Sequence, residues 1–498
     1  MNELLGLSQL RDIEVKCKER QIDLIERGGL AAFDWIKSNF DNKVRILILA
    51  GRGSNGAYGL ATAFQLVTNG YKVDFVRLTN DNSPVNDEWF NKASEHKRPL
   101  AKLPKDITRY GLVVDAIYGI GLMNELDVDS AKSVQRINND AAYILSLDAP
   151  SGVNPFSGKV FGGAINADTT LTFISDKAGF HTADGLDYSG EVLVANLIEI
   201  SDFNLAESQQ KIEFNSLDTI NYQPLIRGRS NTNKGTYGSV AIIGGNKGMH
   251  GALYLAGKAA LMSGSGKVVL APLDKDFRFD FSMPELMLST PKDVIKDLQS
   301  YDAIAIGCGL GRDEKSVKIL NMLLDTIEDG KLIVDADALN LIAENIALRN
   351  KFREVRHKII TPHPGEAARI IGLSVNAVQD NRFTAITDIS DLLHGVVVLK
   401  GAGTLISSDN NTYINVTGNS GLANAGQGDT LTGIILGLLS QGLDIITATR
   451  FGVYLHGIAG DRLLMKNKGY NGILASKVSE EVCITINDLL YRDLFDVN

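Results

Sequence analysis

Short runs of β-branched and other aliphatic residues recur along the chain, and most of them run straight into glycines; RILILAG, LVVDAIYG, SVAIIGG, AIAIGCG and VVVLKG are examples. Unbroken apolar runs of about four to eight residues suit strands buried on both faces, and the longer stretches between them carry apolar residues at helical spacing. This alternation predicts βα units in open parallel sheets, with ligands bound where the strands' carboxyl ends meet glycine-rich loops. In the first half the strands fall near Val44–Ala50, Lys72–Leu78, Leu112–Ala116 and Ala142–Leu147, with helices that include Leu60–Asn69 and Ser130–Asn138. A second series follows near Ser239–Ile243, Lys267–Leu270, Ala303–Ile306, Leu332–Val334, Lys358–Ile360, Val396–Leu399 and Leu405–Ser407. Between them AESQQKIEFNS and RGRSNTNKG are polar and irregular, so the expected organisation is a domain over 1–205, a linker over 206–234 and a second domain over 235–498.

At 498 residues the chain has room for two or three domains, and 44% hydrophobic with 22% charged residues is the composition of a packed protein. Fifty-nine acidic against 50 basic residues leave a net charge of -9, which offers no global positive field to phosphate backbones; nucleic acid is not expected as a partner. The N-terminus, MNELLGLSQLRDIEVKCKER, carries charges where a secretory apolar region would lie, and LTGIILGLLS is too short to span a bilayer. A cytoplasmic protein with no membrane partner is therefore expected. Cys17, Cys308 and Cys483 lie far apart and read as reduced thiols rather than a disulfide framework or a zinc cluster.

The 49 glycines carry most of the chemistry. In GNSGLANAGQGD, Gly426 and Gly428 let the backbone turn tightly just before a long apolar helix, which points N–H groups and the positive end of a dipole at one spot. Asp429 at that helix start is either a cap or a base that takes a proton from a hydroxyl about to attack phosphorus. KGAGT, from Lys400 to Thr404, suits a nucleotide phosphate or ribose, or else a β-hairpin turn. GCGLG allows backbone to approach a flat ligand, with Cys308 as a small filler. In TPHPGE two prolines stiffen the loop around His363, which is either structural or in contact with substrate. Asp335 and Asp337 in VDADALN orient metal-bound water or cap a helix; the sequence leaves both open.

In the first half GRGSNG matches GxGxxG, but Asp74 sits mid-strand where a dinucleotide fold needs an acid at the strand end, so a dehydrogenase is disfavoured. Three strands instead end in oxygen-bearing side chains. These are Asn55, Asp115, and Asp148 with Ser151, a group able to cage a cation beside a proton-handling carboxylate. Helix caps or loop closure are the alternatives.

Taken in order, KGTYGSVAIIGGNKGMHGALYLAGKAAL, GCGLG, VDADALN, TPHPGE, KGAGT and NAGQGDTLTG resemble the ADP-dependent NAD(P)H-hydrate dehydratases, and 1–205 is similar to the NAD(P)H-hydrate epimerase domain often fused to them. The resemblance implies two α/β domains, a Rossmann-like three-layer sandwich followed by a ribokinase-like domain. It implies contacts from Ala252, Gly309, His363 and Asp429 to the hydrated nicotinamide nucleotide, and from Lys400, Gly401, Ala402, Gly403, Thr404 and Gly428 to ADP or ATP with Mg²⁺. In the epimerase it implies K⁺ on Asn55, Asp115 and Ser151. The substrate would be surrounded by Ser54, Asn55, Gly56, Ala57 and Tyr58, by the loop Gly119, Ile120, Gly121, Leu122, Met123, Asn124 and Glu125, and by the acid/base residue Asp148. Substrates would be the R and S hydrates NADHX and NADPHX, and the assembly a homo-oligomer, a homotetramer or larger. The chain departs from the family where AGQG replaces a Gly/Ser/Thr-rich turn, and where Ser54, Ala57 and Tyr58 replace an Asn, a Gly and an Asp. A ribokinase-type kinase of a small molecule, or a dehydratase carrying a non-catalytic nucleotide-binding scaffold, are the competing readings.

Overall fold

A computed structural model describes residues 3–495 apart from 79–82, 123, 206–209, 228 and 279–281, so Met123 lies outside the described residues. The chain folds as two compact units, Met1–Ile212 and Glu213–Asn498.

In the first unit a wholly parallel sheet runs in the order Lys72–Arg77, Arg45–Ala50, Leu112–Ala116, Ile144–Leu147, Thr169–Phe173, Glu191–Ala195. Its apolar runs are continuous because both faces are covered. Ile46 and Ile48 pack with Leu10, Phe33 and Leu60 from the helices Leu7–Glu19, Leu24–Asn39 and Ser54–Thr68. Leu47 and Leu49 pack on the other side with Val134 and Ile137 of the helix Val128–Asp140. Burying each such side chain contributes about 1.5–3 kcal/mol, so both layers are held by ordinary core packing. The direction of chain winding reverses between Arg45–Ala50 and Leu112–Ala116, which opens a crevice at their carboxyl ends.

Sequence patterning missed two strands here, Thr169–Phe173 and Glu191–Ala195. The run TTLTF is polar, yet Thr169, Thr170 and Thr172 are fully buried. Their hydroxyls find local partners: Thr170 donates to Ser189 O at 2.7 Å and Thr172 to Asp148 O at 2.9 Å. Satisfied hydroxyls make a polar strand tolerable in a core.

In the second unit the sheet order is Asn411–Ile414, Leu405–Ser408, Val396–Leu399, Lys358–Ile360, Lys331–Val334, Ala303–Ile306, Ser239–Gly244, Lys267–Pro272, Met287–Leu288. It is parallel except where Val396–Leu399, Leu405–Ser408 and Asn411–Ile414 pair antiparallel. Winding reverses between Ser239–Gly244 and Ala303–Ile306. The almost wholly buried helix Gln427–Ser440 lies against the helix His250–Met262. Gly433 and Gly437 permit that approach, since a Cβ on them would stand 2.1 Å from Ala256 O and 2.6 Å from Ala260 O. Among its described residues, the segment read as a linker, 206–234, is more structured than its polar sequence suggested. Ile220 and Leu225 enter the second core, and buried Asn215 donates to Asn415 Oδ1 and Arg450 O at 3.0 and 2.9 Å. Short polar residues conceal such packing because hydrogen bonds, not periodicity, pay for it. Among the described residues no helix is long and apolar enough to cross a membrane.

Candidate active sites

Three segment ends meet in the second unit. The strand Lys331–Val334 delivers Asp335, the strand Val396–Leu399 delivers Lys400, and the helix Gln427–Ser440 begins two residues before Asp429. Lys400 Nζ bonds Asp335 Oδ1 at 2.7 Å, and Thr432 Oγ1 donates to Asp335 Oδ2 at 3.0 Å. The helix cap is Gly426, at φ 88° and with no side-chain cap; Asp429 is therefore not the capping residue. Its carboxyl lies with Cys308 Sγ and an Asp335 oxygen in a cluster whose members are all within 4.8 Å of one another. Burial, reinforced by the charge of Asp335, pushes Asp429 up to about 6. Burial alone would also raise Asp335 and lower Lys400, but their pairing reverses both shifts and favours the charged form of each. Burial and the neighbouring carboxylates push the Cys308 thiol well up, so Cys308 is a filler and a thiol neighbour of Asp429, not a nucleophile.

Glycine keeps this floor open: a Cβ on Gly428 would stand 3.2 Å from Lys400 Nζ and 3.7 Å from Asp335 Oδ2. Gly309, at φ 60°, lies against Met249 and Ala252 beside Cys308. Lys400 to Thr404 do form a hairpin turn between antiparallel strands, with Gly401 and Ala402 at its exposed tip. Gly401, at φ 136°, sits on the buried guanidinium of Arg382, which donates to Leu399 O at 3.0 Å. Where the sequence left Asp335 and Asp337 undivided, the structure separates them: Asp335 joins the cluster, whereas Asp337 Oδ2 accepts from Gly311 N at 2.8 Å and closes the GCGLG loop.

His363 caps the helix Pro364–Ile371 through Nδ1, which accepts from Gly365 N at 2.9 Å, while its own N–H donates to Glu366 Oε2 at 2.8 Å. Burial and Lys400 lower its pKa, so the neutral ring carries its proton on Nε2, 3.3 Å from Glu366 Oε1. Sequence reasoning missed Glu366, which burial pushes up to about 7 and which lies 4.0 Å from Lys400. The H-x-x-E spacing of a capping box was the available signal. The unusual Gln427 is also explained. Its amide donates to Asn424 Oδ1 and Ile473 O, both at 3.1 Å, and its carbonyl faces His456 Nε2 at 3.1 Å, filling the ground beneath the turn.

In the first unit a cavity of about 470 Å³ opens at the crevice. Ser54, Asn55, Tyr58, Gly119 to Leu122, Asn124, Glu125 and Asp148 line it; Gly56, Ala57, Asp115 and Ser151 lie outside its lining. Buried Asp115 accepts from Ser146 Oγ and Ser151 N at 2.8 Å and from Ser151 Oγ at 2.6 Å. Burial still raises its pKa. Asn55 Nδ2 donates to Tyr118 O at 2.9 Å, and Ser151 Oγ accepts from Tyr118 N at 2.8 Å, so Asn55, Asp115 and Ser151 converge on one turn. Asn55 Oδ1 is buried with no hydrogen-bond partner. Asp148 adopts φ 64°, a left-handed conformation that carbonyl-bearing side chains tolerate better than most, and receives Lys177 Nζ on Oδ1 at 2.8 Å. Tyr58 packs on Phe173 at 4.4 Å between ring centres, and burial together with Asp148 pushes its phenol well up. Lys177 was missed because it follows the unrecognised strand Thr169–Phe173.

The family model described as NAD(P)H-hydrate dehydratase matches residues 240–483, and that of the YjeF-related protein N-terminus matches 21–179. A bifunctional NAD(P)H-hydrate repair enzyme of Coxiella burnetii is 35% identical over 503 residues, spanning 98% of this chain and all of the relative. The chain belongs to the bifunctional NAD(P)H-hydrate repair enzymes. Another member of this repair family, from Escherichia coli, is 34% identical over 91% of this chain and 87% of its own. Among solved structures, the ADP/ATP-dependent NAD(P)H-hydrate dehydratase of Bacillus subtilis, co-crystallised with ATP and Mg²⁺, is 31% identical, covering 53% of this chain and 94% of that one at a TM-score of 0.46. The two units of this chain correspond to the YjeF-related N-terminal model and to the NAD(P)H-hydrate dehydratase model.

Proposed function

We propose that the unit around Asp429 dehydrates the S form of NADHX or NADPHX at the expense of ADP, and that the unit around Asp148 interconverts the R and S forms. The observation that carries the reading is the Asp429 carboxyl, pushed up to about 6, in the first turn of a helix that has no side-chain cap and whose dipole and N–H groups suit a terminal phosphoryl group. Asp429 takes the proton of the ring hydroxyl as its oxygen bonds the terminal phosphorus and the bond to AMP breaks. The phosphorylated oxygen then leaves as phosphate with the C–O electron pair, the ring nitrogen supplies its lone pair, and loss of a proton from the adjacent ring carbon restores the dihydronicotinamide. Lys400, held on Asp335, keeps the floor beneath Gly428 near neutral. Lys400 to Thr404 and Gly428 are assigned to the nucleotide, and Ala252, Gly309 and the Nε2–H of His363 to the hydrate. The cluster of Cys308, Asp335 and Asp429 does not fit Mg²⁺: a thiol is a poor partner for a hard ion, and Asp335 is committed to Lys400 and Thr432.

In the first unit Asp148 would move a proton between the hydroxyl and the ring nitrogen while the bond joining that nitrogen to the hydroxyl-bearing carbon opens to an aldehyde and closes on the other face. The substitution Tyr58 leaves a neutral phenol under the cavity, and the retained Asp148 supports activity over a scaffold role. K⁺ fits the orphaned Asn55 Oδ1 with Asp115 and Ser151, where it would supply positive charge beside the substrate. Assembly as a homo-oligomer and a cytoplasmic setting, in keeping with three free cysteines, belong to the same reading.

The test is recovery of the dihydronicotinamide's near-ultraviolet absorbance from mixed-epimer hydrate with ADP, Mg²⁺ and K⁺. Complete recovery at enzyme-limited speed is expected. A halt after the S fraction removes the epimerase, and a stable phosphorylated product with ATP favours the kinase reading.

A further inference from the structure

Lys177 is almost completely buried, with 1% of its side chain exposed, and all three of its ammonium protons are committed. Nζ donates to Asp148 Oδ1 at 2.8 Å, to Phe173 O at 3.0 Å and to Thr172 Oγ1. Thr172 in turn donates its own hydroxyl proton to Asp148 O at 2.9 Å, and Asp148 N donates to Leu171 O at 2.9 Å. The strand Thr169–Phe173 and the lysine beyond its end therefore grip Asp148 by both its backbone and its side chain. This grip matters because Asp148 sits at φ 64°, where a non-glycine residue needs its surroundings to hold it. Asp148 Oδ2 has no protein hydrogen-bond partner among the described residues and lies on the side of Gly119, a residue that lines the cavity. A lysine with every proton spoken for has none left for a ligand, so its influence on substrate passes through the carboxylate.

We propose that Lys177 is the positioning residue for Asp148: with Thr172 it clamps one carboxylate oxygen and leaves the other aimed into the cavity to meet the hydrate's hydroxyl. This rests on the epimerase reading of that cavity. The proton that Asp148 Oδ2 accepts from the hydroxyl is handed back to the ring nitrogen, and Lys177 neither gains nor loses one.

The test uses the full chain, pure R-hydrate and a following assay for the S form. Lys177→Met is expected to lower kcat for epimerisation about 100-fold with KM within about threefold, the size of effect general-base loss produces. Ethylammonium added to Lys177→Ala is expected to restore at least about tenfold of the lost rate by filling the vacated ammonium site, an outcome that a purely packing role would not give. Thr172→Val keeps the lysine and is expected to lower kcat about tenfold at unchanged KM; it decides the matter if the lysine variants fail to fold, which thermal unfolding of the full chain reveals. Lys177→Met with more than a tenth of the parent kcat, a loss carried by KM, absence of amine rescue, or Thr172→Val at the parent rate each overturns the proposal. A parent chain that does not speed the conversion overturns the epimerase reading and takes the proposal with it, whereas an active parent with an equally active Lys177→Met overturns the proposal alone.

Discussion

Each of the two units places a candidate catalytic acid near the carboxyl edge of its sheet, yet they treat it oppositely. Asp148 has an ammonium of its own at 2.8 Å. Asp429 does not: the nearest ammonium, Lys400, is given to Asp335, and Asp429 is left beside a second carboxylate and pushed up to about 6. The difference teaches that a carboxyl's role is set by who owns the neighbouring cation. An acid with a private ammonium is held in place by it, whereas one left beside a second carboxylate has its pKa pushed toward neutral pH.

The strongest way to break the comparison is Asp429→Asn. Dehydration is expected to fall by about 10² or more while calorimetric ADP binding and R/S interconversion persist, and retention of over a tenth of the rate would take the base role from Asp429. Lys400→Met comes next. In the parent, the dehydratase rate should rise with pH through about 6 and level off, because Asp429 works ionised. Removing the shared cation should move that limb up by about one pH unit, cutting the rate about twofold at pH 7 and about tenfold near pH 5, as pH–rate profiles of the two proteins would reveal. Exchanging K⁺ for a bulky organic cation should slow interconversion about fivefold or more and leave dehydration untouched, since the proposed K⁺ site lies in the first unit, at the unpartnered Asn55 Oδ1 beside Asp115 and Ser151. Equal slowing of both steps would place the ion elsewhere. The last effect concerns stability rather than rate. An acid whose folded-state value lies above its unfolded one loses stability for the fold as pH rises between the two, so Asp429→Asn should gain about 3 kcal/mol at pH 7.5 and nothing near pH 3 in denaturant titrations.

The alternation of apolar runs and glycine turns made both sheets legible, and Asp429, Lys400 and Asp148 were visible as residues at strand or helix ends. Thr169–Phe173 was not, because its buried hydroxyls are paid for by hydrogen bonds that no periodicity displays, and Lys177 went with it. His363 was seen but the cap it makes was not: a ring whose Nδ1 caps a helix looks in sequence like one with both nitrogens free. Glu366 and the pairing of Lys400 with Asp335 join residues far apart in the chain, and such ownership of charge is a property of the fold alone.

Gly433 and Gly437 bring the helix Gln427–Ser440 onto its neighbour main chain to main chain. The reach of Asp429 is therefore gauged by peptide geometry, which mutation of surrounding side chains leaves unaltered. Drift in the core can change how firmly this unit holds together without resetting the ruler against which its chemistry is measured.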